Sequence, residues 1–124
     1  MPALDPERIA VLRELGPADG QGLLPATAEA FRHEAEWGLR DLRAAAADGG
    51  GEPLFRAAHR LRGSAANIGA SRVADLCAEL EAAGRSGGAP GEDALDRLEA
   101  ELSRVDEELD RIQEDLGQVQ EEGQ

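Results

Sequence analysis

The chain has 124 residues, which suits one domain with a modest core and leaves little room for a second. Its 26 acidic residues outnumber 13 basic ones, all arginine, for a formal net charge of -13. Such a charge repels DNA, RNA and anionic membrane surfaces, so nucleic-acid and membrane binding are not expected.

The apolar residues are mostly Ala and Leu, set among Glu and Arg, and the aromatics are only Phe31, Trp37 and Phe55. Strong helix formers dominate and strand formers are scarce, which implies an all-α fold. Cys77 is alone, so an internal disulfide is impossible and a metal cluster is not expected. No apolar run approaches the ~20 residues of a membrane span. The N-terminus MPALDPERIA lacks the features of a signal peptide, so a cytoplasmic protein is expected.

Asp5-Pro6 reads as a helix start, with Asp capping free amides and Pro preset for the first turn. The first helix runs from Pro6 to Leu15 and stops at Gly16-Pro17. The second spans Gln21 to Ala47, starting as late as Leu24 if Pro25 lies in its first turn. Its stripe is Leu24, Ala28, Phe31, Ala35, Leu39, Leu42 and Ala46, and Asp48-Gly49-Gly50-Gly51 ends it. A third helix starts near Glu52-Pro53 and reaches about Asn67, burying Leu54, Ala58, Leu61, Ala65 and Ile68. Asn67-Ile68-Gly69 suits a C-terminal cap. The fourth, Ser71 to Ala83, buries Val73, Leu76, Cys77 and Leu80, and 84–91 form a Gly-rich turn. From Glu92, Leu95, Leu98, Leu102, Val105, Leu109, Ile112, Leu116 and Val119 alternate steps of three and four, the pattern of left-handed packing. The sequence thus predicts an antiparallel up-down four-helix bundle over 1–117, with the short first helix as a lid, and a polar tail over 118–124.

One segment departs from packing logic. From Phe55 to Arg72 the sequence carries Arg56, Arg60, Arg62 and Arg72 and no acidic residue. This is either chance clustering on a solvated face or a local anion site. His59 lies within it, one residue past the stripe position Ala58 and so turned about 100° away from the core. Its neighbours one turn on are Arg62 and Gly63. Arg62 can hydrogen-bond an anion beside the imidazole. Gly63 fits either an approach path to His59 or tight helix packing. Phe55 offers an apolar contact one turn back. A hairpin about Gly69-Ala70-Ser71 sets His59 level with Glu81, and Phe55 level with Arg85.

The run Ala58-His59-Arg60-Leu61-Arg62-Gly63-Ser64-Ala65-Ala66-Asn67-Ile68-Gly69-Ala70 closely resembles the signature of histidine-containing phosphotransfer (HPt) domains. The likeness continues through Leu76 to Glu81 and Gly84-Arg85, and with the five-helix layout it covers nearly the whole chain. It implies that His59 is the phosphoacceptor and that Arg62 lies near the phosphoryl group, where the family usually has Lys. It implies that Gly63 leaves space for a partner, and that Ser64 and Asn67 fix the local helix and turn. Gly69, Glu81 and Arg85 are expected to support the site. Glu81 stands where some members have Gln. Phe55, Arg56, Leu12, Leu23 and Ala30 are expected to dock the partner.

The expected function is a phosphorelay shuttle between receiver-domain aspartates, without ATP binding or a cofactor, any Mg2+ belonging to the receiver. The expected partners are response-regulator receiver domains and a hybrid histidine kinase, met by a monomer. The alternative is an interaction module that binds a receiver or kinase without transfer. A kinase dimerisation domain is disfavoured, since no nucleotide-binding segment follows and no acidic residue succeeds His59. The starting Met and the end just past the bundle suggest a free-standing carrier rather than a piece of a hybrid kinase, with a fragment of a larger protein as the alternative. His33 is expected to be solvated, and Trp37 lies off the stripe.

Overall fold

The computed structural model describes residues 2–16 and 22–122, with side chains for all of these except 92 and 115–122. It contains α1 (Pro6–Glu14), α2 (Leu24–Ala47), α3 (Glu52–Ile68), α4 (Ser71–Arg85) and α5 (Glu92–Glu122). Asp5 caps α1 by accepting from the Glu7 amide, and Pro sits in the first turn of α1, α2 and α3.

Cross-helix pairs fix the antiparallel order. Glu81 of α4 meets His59 of α3, and Arg85 meets Phe55. Between α4 and α5, Arg72 approaches Glu101 and Arg97 approaches Glu79, both at 3.7 Å. Between α5 and α2, Arg32 bonds Asp110 at 2.7 Å and Arg43 bonds Glu99. The helices therefore run up-down-up-down and α5 returns to α2. Inside lies one core, including Leu24, Leu42, Leu54, Leu61, Ile68, Val73, Leu80, Leu98, Val105 and Leu109. The α3 and α4 stripes are buried as their spacing predicts.

The α1 segment closes the end where α3 turns into α4. The Asp5 amide donates to Gly69 O at 2.8 Å, and Arg8 Nε donates to Asn67 O at 2.8 Å. Glu108 of α5 accepts from the Ala3 and Leu4 amides. Gly69 ends α3 with φ 86°, a left-handed cap that also leaves room for Arg8, whose Cβ would lie 2.9 Å from an added Cβ.

Several boundaries differ from the sequence reading. In α4 the helix runs on through Gly84 and Arg85, which were expected in the turn; its last turn packs against the start of α3. In α5 the backbone stays helical to Glu122, beyond the expected tail start at 118, while Gly123 and Gln124 lie outside the described residues. So do Pro17, the expected stop of the first helix, and Gln21, the earliest expected start of the second. The expected contacts of Leu116 and Val119 are likewise outside the described side chains. The α2 stripe rotates onto Gly38 and Ala45, leaving Leu39 and Ala46 half-buried, because Gly38 seats against Leu61.

Cys77 is buried, and burial, reinforced by the charge of Glu81 and opposed by Arg62, pushes its thiol up to about 12. The thiolate is the reactive form. Iodoacetamide at mildly alkaline pH is therefore expected to leave Cys77 unmodified in the folded protein and to alkylate it after denaturation, as read by mass spectrometry. Rapid alkylation of the native chain contradicts this placement.

Candidate functional site

His59 projects from the outer face of α3, one position beyond Ala58, which is fully buried. The His59 side chain is 69% exposed. Its ring stacks on Phe55 one turn earlier, with centroids 5.8 Å apart and an interplanar angle of 14°. The Arg85 guanidinium lies over the same Phe55 ring at 5.0 Å. This arrangement limits the orientations open to the imidazole while leaving most of it in solvent.

The second wall of the site comes from α4. Glu81 is 5% exposed, a carboxylate at the helix-helix seam. Its Oε1 lies 3.3 Å from His59 Nδ1, and its Oε2 accepts from Arg62 Nη1 at 3.0 Å. Both carboxylate oxygens thus have partners, which a buried charge requires. The sequence placed Glu81 level with His59 but carried no sign that Glu81 is buried.

Two glycines play opposite parts. At Gly63 an added Cβ would meet nothing within 4 Å, so tight packing does not explain it and the flank of His59 is open. At Gly84 an added Cβ would lie 2.6 Å from the Phe55 amide nitrogen and 2.7 Å from Gly51 O. Only a residue without Cβ lets α4 approach α3 this closely. That approach sets Arg85 beside Phe55.

The other expected residues divide. Arg56 reaches back to Glu52 at 2.7 Å, on the outer face of α3. Ser64 Oγ lies 3.5 Å from Arg60 O, a long contact along its own helix. Asn67 Oδ1 accepts from Arg8 at 3.1 Å and so ties α1 to the end of α3. Gly69 caps α3 at that same end.

The expected docking set is corrected in part. Leu12 is 2% exposed and cannot meet a partner, because short α1 turns both Ile9 and Leu12 into the core. Leu23 and Ala30 are exposed, but the packing of Gly38 on Leu61 sets the level of His59 near Arg40. At 1.5 Å per residue Ala30 and Leu23 then lie about 15 and about 25 Å along α2 from that level. Phe55 and Arg56 are the expected docking residues close to His59. His33 is exposed. Trp37 is 59% exposed, with the Arg40 guanidinium 5.2 Å from its ring.

A family model, the Hpt domain, matches residues 27–122, the span that holds the bundle and its exposed histidine. The chain belongs to the Hpt domain family. This Hpt domain is similar to histidine-containing phosphotransfer protein B (HptB) from Pseudomonas aeruginosa PAO1, whose crystal structure it matches with a TM-score of 0.72. The two are 29% identical over 89% of this chain and 96% of that one. No curated protein sequence matches the chain. Membership makes the chain a histidine phosphotransfer protein of a phosphorelay, and proteins of this family are phosphocarriers. Among the described residues no helix is long and apolar enough to cross a membrane.

The two glycines give opposite expectations in thermal or urea denaturation. Gly63→Ala should raise stability by up to about 1 kcal/mol, since Ala favours the helix and the added methyl meets nothing. Gly84→Ala should lower it by about 1–3 kcal/mol, because backbone has to move. Equal shifts for the two would show that the close approach at Gly84 is not a constraint.

Proposed function

We propose that His59 is the phosphoacceptor of this Hpt domain and that it relays a phosphoryl group between receiver-domain aspartates. The observation that carries this reading is the open imidazole of His59, flanked by Arg62 and by the empty space over Gly63. A neutral imidazole has a free lone pair and needs no general base. Its nitrogen attacks the phosphorus of a receiver's aspartyl phosphate. An N–P bond forms, the acyl O–P bond breaks, and the aspartate leaves as carboxylate. Onward transfer runs the same exchange in reverse with a second receiver.

The transition state for such a transfer is loose, so position and charge matter more than covalent assistance. Arg62 is the cation on this chain best placed to share the equatorial charge, and its side chain is half-exposed. Neutralisation beyond Arg62 falls to the receiver side, where the family resemblance puts Mg2+. Phe55, Arg56 and Arg85 form the adjoining rim for docking, with a guanidinium stacked on an apolar ring. A hybrid histidine kinase at the head of the relay, a monomeric carrier and a cytoplasmic setting belong to the same reading.

The test uses receiver domains charged with radiolabelled phosphate from acetyl phosphate. Wild-type protein should take up label, and His59→Gln should take up none while keeping its helical circular dichroism. Label on His59→Gln would falsify the assignment. Tight binding of receivers by a wild-type chain that never takes label would identify an interaction module instead. Gly63→Leu should remain folded yet accept label more slowly, on the order of tenfold or more, because the side chain intrudes on the approach path.

A further inference from the structure

The geometry around Glu81 carries a consequence that rests on the phosphocarrier reading of His59. Glu81 lies on α4 with its side chain only 7% exposed, and it engages two residues of α3 at once. Through Oε1 it meets His59 Nδ1, and through Oε2 it holds Arg62. His59 Nε2 has no hydrogen-bond partner among the described residues. With the Nδ1 proton donated to Glu81, the lone pair sits on Nε2, on the open side of the ring.

A phosphoryl group joined at Nε2 brings two negative charges to the site, while the ring keeps its Nδ1 proton and becomes cationic. Glu81 attracts that ring but repels the larger charge beyond it. It also engages Arg62, the cation otherwise free to bind the phosphoryl oxygens. A carboxylate this far removed from water is screened less than a surface one. Both the repulsion and the competition for Arg62 act against retention, and only the attraction to the ring acts for it.

We propose that Glu81 shortens the time for which His59 holds a phosphoryl group, chiefly by competing with that group for Arg62. Glu81 is a positioning residue in this scheme. One of its oxygens fixes which ring nitrogen faces outward, and its charge keeps the loaded state poised for release. Glu81→Gln separates the two effects, since a neutral amide oxygen still accepts the Nδ1 proton but no longer binds Arg62 as an ion pair.

The experiment loads the full chain with phosphoramidate, removes the donor and follows phosphohistidine by 31P NMR. Glu81→Gln should lengthen its half-life on the order of threefold, the scale of one half-exposed ion pair. The 15N shifts of the His59 ring should keep the wild-type tautomer. In an Arg62→Gln background the gain from Glu81→Gln should shrink, because the contested cation is gone. Glu81→Met, of similar volume, serves if the Gln variant folds poorly, and it too should lengthen the half-life. An equal or shorter half-life in folded Glu81 variants overturns this proposal and leaves the phosphocarrier reading standing. No phosphorylation of His59 in the wild type overturns both.

Discussion

The close approach of α3 and α4 governs the site. Gly84 allows the last turn of α4 to lie against the backbone at Phe55 and Gly51, closer than any side chain permits. Two contacts follow from that seam. Arg85 comes over the Phe55 ring, which stacks on His59 within α3, and Glu81 reaches His59 and Arg62 from one helical turn away. At the other end of the hairpin the left-handed Gly69 reverses the chain within a residue or two and fixes the register. A longer turn would leave the level of Glu81 against His59 undetermined.

The remaining electrostatics work on a different scale. The arginines that link α2 to α5 and α4 to α5 are 37–62% exposed at their side chains. Pairs of this kind contribute roughly 0–1 kcal/mol each and weaken with salt. They favour one helix order over others, while the leucine-rich interior supplies the larger share of stability. Glu81 and Glu101 differ from these, since each is 5% exposed. Glu101 meets Arg72 and Arg104 and braces α4 against α5, whereas Glu81 faces the one exposed imidazole of α3.

Periodicity made most of this architecture legible. Leu54, Ala58, Leu61, Ala65 and Ile68 are buried in step with their spacing, and His59 points outward for the same reason. The short Gly69-Ala70-Ser71 connection makes the pairings His59–Glu81 and Phe55–Arg85 readable from the sequence. What stayed hidden lacks an apolar signal. Gly38 and Gly84 are core residues because a neighbouring helix comes close, and a glycine in a sequence does not announce that. Glu81 is buried because two partners satisfy it, although its type suggests solvent. Leu12 turns into the core rather than toward a partner, which the sequence does not show because a nine-residue helix with few apolar residues gives a weak sense of direction. The Glu108 carboxylate that holds the Ala3 and Leu4 amides is more than a hundred positions away in the chain, beyond the reach of any local pattern.

Trp37 is the sole tryptophan, and its indole stands outside the core beside a guanidinium. Its fluorescence emission is therefore expected to resemble that of a wet indole already in the native state. Melting the bundle changes the surroundings of this fluorophore little. An optical probe of unfolding has to come from backbone ellipticity, and the natural dye is left to report on events at the outer face of α2.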